Sequence, residues 1–379
     1  MRIKKLNYIN KTFGWELDNI EFNKLTLFVG ASGVGKTQIL NAILDLKNIT
    51  NGGPVGAVYW DVEFETINGN QYNWTGEFEN YGFQNFISID ENLKNNKQKI
   101  ISEKLFLNNE NILERTKTET IFKNIPTLKL SQQESMISIL KEEDEISEVF
   151  KGFNKLILSE PNLIKLFPIF RIDAHIYELL NKCKTIEQIQ ELNENIFVKL
   201  YLVSHNEIKT FNSIKERFCE IFPKVADIKI ATLDIEKEEY LSIINDIPFI
   251  QIKEKDSENW IIHLSISSGM FKTLINICEL YLCADGTVFL IDEFENSLGV
   301  NCIDEITNEV LNSGRNLQFI ITSHHPYIIN NIPFANWKLV TRNAGKVKAQ
   351  KVDKFNIGKS HHDAFMQLLQ LEEFLTGSE

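Results

Sequence analysis

The chain has 379 residues, 43% apolar and 24% charged, a globular composition with material for one large domain plus an insertion, or for two ordinary domains. Its 40 Lys and Arg against 52 Asp and Glu leave a net charge of −12, which excludes a general electrostatic attraction for nucleic acid and leaves only a local basic groove open. No apolar run reaches the length of a membrane span and no apolar stretch follows the basic start as in a signal peptide. The five Cys show neither CxxC nor zinc spacing, so the expected setting is the reducing cytoplasm.

The predicted elements open with strand, loop and helix. Residues 25–29 form an apolar run suited to a buried strand. Gly30-Ala31-Ser32-Gly33-Val34-Gly35-Lys36-Thr37 follows and matches G-x-x-x-x-G-K-[ST] in full, and Ile39, Leu40, Ile43 and Leu44 then recur at helical spacing. The glycines let the backbone curl until its N–H groups face a phosphate, and the helix start adds its positive end. Lys36 is placed to neutralise the β- and γ-phosphates of ATP, and the Thr37 hydroxyl to ligate Mg²⁺. A chance glycine-rich turn would lack the flanking strand and helix, so the segment is read as a nucleotide site.

Residues 55–64 and 71–78 alternate around the Asn68-Gly69 turn and predict a β-hairpin, and further strands are expected over 98–130, with Asn108-Asn109 as a turn. Near Ser131 the texture changes. Residues 136–220 are rich in Leu, Ile, Glu and Lys and predict several helices. Strands return at 247–252 and 260–264, parted by Asp256-Ser257. A helix from Ser268 and strands at 288–291 and 317–322 finish the pattern. With no repeat or low-complexity linker, the helical stretch reads as an insertion into one α/β head. The expected organisation is an N-terminal lobe at 1–135, a helical insertion at 136–222 and a C-terminal lobe at 223–379.

Asp292 and Glu293 end the apolar run 288–291. Standing alone, such a strand end carries solvated acids; with a phosphate loop on the same chain, Asp292 is delivered to the Mg²⁺ side and Glu293 is placed to take a proton from an attacking water. Ser267, Ser268 and Gly269 precede a long apolar helix, alone an ordinary N-cap. Some two dozen residues before Asp292, however, this segment resembles the L-S-G-G-Q signature of ABC-type ATPases, with Ile266, Ser268 and Met270 standing in for the Leu, first Gly and Gln.

That resemblance implies an α/β P-loop NTPase head of the ABC type, with a β-rich subdomain and a helical insertion. It also implies a homodimer in which Ser267, Ser268 and Gly269 of one copy meet the γ-phosphate held by the other. Asn296-Ser297-Leu298 matches the loop that touches the partner. In Ile320-Ile321-Thr322-Ser323-His324-His325-Pro326, His324 aligns with the switch histidine, His325 being an outside candidate. The glutamine for metal and water falls at Gln132 or Gln133, at the junction where strands give way to helices, with Gln133 preferred. More than two hundred positions separate Lys36 from Ser267, and the opening Ile3-Lys4-Lys5-Leu6 and Asn23 to Gly30 are similar to the SMC, RecF and OLD-type group rather than to transporter cassettes. The stretch after His324 lacks the acidic cluster of an OLD-type nuclease. The resemblance therefore implies a stand-alone ATPase acting through a protein effector such as a nuclease, in the manner of ATPase subunits of anti-phage systems or of DNA maintenance. A nucleic-acid sensor and a regulatory scaffold with little turnover are the alternatives. His361-His362-Asp363, at an expected helix start, reads as solvated rather than metal-binding.

Overall fold

The computed structural model describes every residue except 54, 81–97, 160–169, 233–245, 298–314, 356–360 and 379. In chain order the described residues form β1 (Arg2–Asn10), β2 (Trp15–Glu21), β3 (Leu25–Val29), α1 (Lys36–Thr50), β4 (Val58–Glu65), β5 (Gln71–Phe78), β6 (Ile100–Leu107), β7 (Glu110–Arg115), β8 (Thr120–Phe122) and β9 (Ile125–Pro126). Then come α2 (Met136–Ile139), α3 (Asp144–Asn154), β10 (Leu156–Leu158), α4 (Ala174–Lys182), α5 (Ile186–Gln190), α6 (Ile196–Asn206) and α7 (Ile208–Ile221). They are followed by β11 (Val225–Thr232), β12 (Pro248–Glu254), β13 (Trp260–Ile262), α8 (Ser268–Leu282), β14 (Val288–Ile291) and α9 (Phe294–Ser297). The last elements are β15 (Gln318–Thr322), α10 (Pro326–Asn331), β16 (Trp337–Asn343), β17 (Lys346–Lys351), α11 (His361–Leu368) and α12 (Glu372–Thr376).

Two compact units result. The first comprises Met1–Leu158, Asp285–Phe294 and Thr307–Glu379, and the second Ser159–Ala284 and Glu295–Ile306. The first is built on one sheet in the order β10-β14-β15-β3-β16-β17-β2-β1-β4-β5-β6-β7-β8-β9. From β10 to β16 neighbouring strands run parallel, whereas from β2 through β9 they form an antiparallel meander. The sequence supplies both halves. β3, β14 and β15 are buried at every residue, as parallel strands covered on both faces must be. β4 and β5 alternate, and Val62, Phe64, Tyr72 and Trp74 join the core. Asn108 and Asn109 both take positive φ (49° and 70°), the geometry of a tight hairpin between β6 and β7. Helix α1 lays Ile39, Leu40, Ile43, Leu46 and Ile49 into this core, each contributing about 1.5–3 kcal/mol by burial.

One strand lies inside the stretch expected to be helical. β10 joins the sheet edge beside β14, Leu156 opposite Val288. A three-residue apolar run bounded by helices has too short a period to be told from a helical turn by pattern alone.

The second unit packs α6, α7 and α8 with the small antiparallel sheet β11-β12-β13, around Leu202, Phe211, Ile214, Phe218, Ile228, Ile250, Leu274 and Ile275. Three of its helices start on side-chain caps that satisfy orphan amides: Asp173 for α4, Thr185 with Gln188 in a capping box for α5, and Asn195 for α6.

Candidate nucleotide site

The site is assembled where parallel strands of the first unit end. β3 runs out into Gly30, and α1 begins at Lys36, with Gly35 in the left-handed region at φ 107° before its first turn. Two glycines are required by space as well as by angle. A Cβ on Gly30 (φ 143°) would lie 2.6 Å from the Val340 carbonyl oxygen, and one on Gly35 would lie 2.8 Å from a Val347 methyl. The loop is thus pressed against β16 and β17, which fixes its curl.

Within the loop the Lys36 ammonium donates to the carbonyls of Gly30 and Ala31, both at 2.8 Å. Thr37 Oγ1 donates to Asp292 Oδ2 at 2.8 Å. Thr322, at the end of β15 and fully buried, donates through Oγ1 to Asp292 Oδ1 at 2.5 Å and accepts from the Glu293 amide at 2.8 Å. One continuous chain of hydrogen bonds therefore links the phosphate loop to the ends of β14 and β15. Glu293 sits in this chain at φ 44°, a left-handed conformation that costs a non-glycine residue about 1–2 kcal/mol and that the Thr322 bond helps to hold.

A cavity of about 290 Å³ opens over these groups, lined by Ser32, Gly33, Gly35, Lys36, Thr37, Gln38, Asp292, Glu293, Thr322, His324 and Arg342. Loop amides, a lysine, two carboxylates and a histidine around one concavity fit a polyphosphate bound with a hard cation. The adjacent Thr37 hydroxyl and Asp292 carboxylate are oxygen donors of the kind Mg²⁺ takes beside substrate phosphates. A wider depression lined by Lys4, Glu63, Glu65, Tyr72 and Asn109 offers no such convergence, since Lys4 and Glu65 already pair at 2.6 Å.

Residues 25–330 match the family described as "AAA domain, putative AbiEii toxin, Type IV TA system". That span is most of the chain. The protein belongs to this AAA family. No curated protein matches its sequence. Among solved structures it is similar to an SMC head bound to the C-winged helix domain of ScpA, at 12% identity over 94% of this chain and 99% of that one, with a TM-score of 0.47. It is also similar to the SMC head domain from Thermotoga maritima, at 14% identity, covering 93% and 99%, with a TM-score of 0.42. A Smc head with an extended coiled coil, bound to the C-terminal domain of ScpA derived from Pyrococcus furiosus, is similar at 15% identity, covering 97% and 98%, with a TM-score of 0.45.

In this AAA-family protein the expected site residues divide into those that line the cavity and those that do not. Ser32, Gly33, Gly35, Lys36, Thr37, Asp292, Glu293 and His324 line it. Gly30 and Ala31 offer their carbonyls to Lys36, and Val34 turns into the core. His325 does not line the cavity: its Nδ1 caps α10 by accepting from the Tyr327 amide at 3.2 Å. Gln132 and Gln133 lie between β9 and α2, outside the cavity lining, where the Gln132 side chain donates to the Lys117 carbonyl at 3.1 Å. That segment is held from beneath by buried charges. Arg115 donates to the carbonyls of Ser131 and Glu134, while Glu103 accepts from the Ser135 hydroxyl, the Met136 amide and Trp74 Nε1.

Ser267 and Gly269 belong to the second unit. Ser267 caps α8, its hydroxyl accepting from the Met270 amide at 3.2 Å. Ser267 and Ser268 are exposed, and a Cβ added to Gly269 would meet nothing within 4 Å, so the helix start faces open space. Asn296 and Ser297 fall in α9, their side chains outside the described residues, as is Leu298. His361, His362 and Asp363 begin α11, also with side chains outside that set. Among the described residues there is no cluster of three or more metal-ligating side chains and no helix long and apolar enough to cross a membrane.

Sequence reasoning overlooked three cavity residues. Thr322 lay within the switch segment, where its neighbours drew attention, and Gln38 and Arg342 belong to no motif. Arg342 becomes a site residue only because β16 pairs with β3.

Proposed function

We propose that the protein binds and hydrolyses ATP, two copies closing head-to-tail around two nucleotides and transmitting that cycle to a protein effector. The observation that carries the reading is the hydrogen-bonded chain Thr37–Asp292–Thr322–Glu293, which sets the metal-side carboxylate and the candidate base at fixed places beside the phosphate loop. Lys36 exchanges its two carbonyl partners for the β- and γ-phosphates. Thr37 and Asp292 would hold Mg²⁺, which when bound would supply charge neutralisation on the phosphates. Glu293 takes the proton of the attacking water, and His324, bordering the same cavity, donates to the γ-phosphate. Gln133, the glutamine that the resemblance offers for metal and water, lies outside the cavity lining and is given no step. The open Ser267–Gly269 helix start receives the γ-phosphate carried by the second copy.

The effector reading rests on family company: the matched family carries the description of a putative toxin in a Type IV TA system, and the sequence resembles stand-alone ATPases of anti-phage defence. Fold alone does not assign such a role.

The test is the solution mass of Glu293→Gln with and without Mg-ATP. A doubling of mass that Ser267→Arg abolishes supports the two-headed mechanism. Unchanged mass with intact ATP binding removes the dimer, and near-normal turnover of Glu293→Gln removes Glu293 from the catalytic role. Stimulation of turnover by DNA or RNA ends would favour the sensor reading instead.

A further inference from the structure

Arg342 borders the phosphate cavity without any motif to account for it. The strand order explains what it is doing there. β3, which delivers the loop, has β15 and then β14 on one side and β16 on the other. Asp292, Glu293, Thr322 and His324 therefore reach the cavity from one flank, and Arg342 reaches it from the opposite flank.

Its main chain and inner nitrogen are fixed. The Arg342 amide donates to the Gly377 carbonyl at 2.7 Å, and Nε donates to the Ala344 carbonyl at 2.9 Å. Nη1 reaches Gln38 Oε1 only at 3.4 Å, and Nη2 has no hydrogen-bond partner among the described residues. A guanidinium whose Nε is tethered, on a residue that lines a cavity shared with Lys36, is suited to an oxyanion, which can accept from both outer nitrogens at once. Gln38 marks which oxyanion. It follows Thr37 in the first turn of α1, whereas the metal side of the loop is marked by the Thr37–Asp292 bond. Loop amides of this kind cradle the α- and β-phosphates while the metal bridges the β- and γ-oxygens, so a cation beside Gln38, on the flank opposite the Thr37–Asp292 bond, falls to the α-phosphate side.

We infer that Arg342 is a nucleotide-binding residue that grips the α-phosphate of a nucleoside di- or triphosphate from the flank opposite Asp292. The inference rests on the ATP reading above. Gly377 serves as its anchor: the residue whose carbonyl holds the Arg342 amide also lies against Val34 of the phosphate loop, so arginine and loop are referenced to the same point.

The experiment compares the affinities of the full chain for Mg-ATP and Mg-ADP, by calorimetry, in the wild type, Arg342→Ala, Arg342→Lys and Lys36→Ala. Arg342→Ala is expected to weaken ATP and ADP equally, by about tenfold or more, as befits a charge-assisted pair. Arg342→Lys should recover part of the loss, and the melting temperature without nucleotide should fall by no more than a few degrees, as the lost bonds to Ala344 and Gln38 imply. Unchanged affinities overturn the inference. So does a loss confined to ATP, which would move the arginine to the γ-phosphate. A wild type that binds neither nucleotide and matches Lys36→Ala would instead bring down the ATP reading itself.

Discussion

Thr322→Val tests whether the chain of hydrogen bonds at the strand ends holds the site in shape. Valine matches threonine in volume and keeps the branched side chain that a buried strand favours, so packing in β15 is retained and only the hydroxyl is lost. The loss leaves Asp292 Oδ1 without the donor now at 2.5 Å and the Glu293 amide without its acceptor at 2.8 Å. A bond to a charged acceptor contributes about 1.5–3 kcal/mol and a neutral one about 1 kcal/mol. Glu293 also loses one tether on its left-handed backbone, so part of its strain of about 1–2 kcal/mol can relax and offset the damage. The net expectation is a loss of about 2–4 kcal/mol, or roughly 5–10 °C in the melting of the first unit. ATP turnover should fall further than stability alone implies, because the Glu293 main chain loses its bond to Thr322, while Thr322→Ser should keep both bonds and stay near wild type. Thermal unfolding followed by circular dichroism, with a coupled phosphate-release assay, measures both. A Thr322→Val protein with unchanged melting temperature and unchanged turnover would refute the argument.

Three further outcomes follow from single contacts. Gly377→Ala would place a Cβ 2.3 Å from a Val34 methyl at a residue with φ 73°; a cost of about 1 kcal/mol, felt by the phosphate loop, should raise the Kd for ATP roughly fivefold in calorimetry. Arg115→Met should destabilise by about 3–5 kcal/mol in urea unfolding, because it strands Glu103 as a buried unpaired charge and frees the carbonyls of Ser131 and Glu134; replacing Glu103 by Gln in the same chain should recover part of the loss. Burial in α8 pushes the Glu279 carboxyl up from 4.5 to about 8, so the folded chain holds this proton where the unfolded chain releases it. Its stabilising term is full below pH 4.5 and is lost as pH rises towards 8, at a slope of at most about 1.4 kcal/mol per pH unit. Glu279→Gln should flatten the stability profile between pH 5 and 8, and an equally steep profile would contradict this.

What the sequence revealed follows from how local each signal is. The phosphate loop is eight consecutive residues whose spacing is its own geometry, and Asp292, Glu293 and His324 are strand ends, legible because a fully apolar run stops at a polar residue. Thr322 and Arg342 act through pairings between segments far apart in sequence. Thr322 matters because β15 lies beside β14, and Arg342 because β16 lies beside β3; no period along one strand encodes that neighbourhood. β10 escaped for a related reason: three apolar residues among helices become a strand only when Val288–Ile291 is there to pair with. The joining of the antiparallel meander to the parallel strands through β16, β17 and β2 is equally non-local. Of the two adjacent histidines, His324 lines the cavity and the His325 ring caps a helix, a division that the sequence alone leaves open.

The distribution of these residues between the two units separates two steps that a single activity measurement would merge. Every residue lining the cavity lies in the first unit, and the Ser267–Gly269 helix start lies in the second. Nucleotide capture under the proposed mechanism thus needs only one unit of one copy, whereas closure needs the second unit of another copy. Changes on the two sides should therefore part company. Lesions in the loop, at Thr322 or at Arg342 lower affinity in dilute and concentrated protein alike. A lesion at Ser267 leaves the affinity of an isolated copy unchanged and removes only the part of turnover that rises with protein concentration. A concentration-dependent ATPase rate that survives Ser267→Arg would mean that the copies meet through some other surface, and the exposed start of α8 would lose its assigned role.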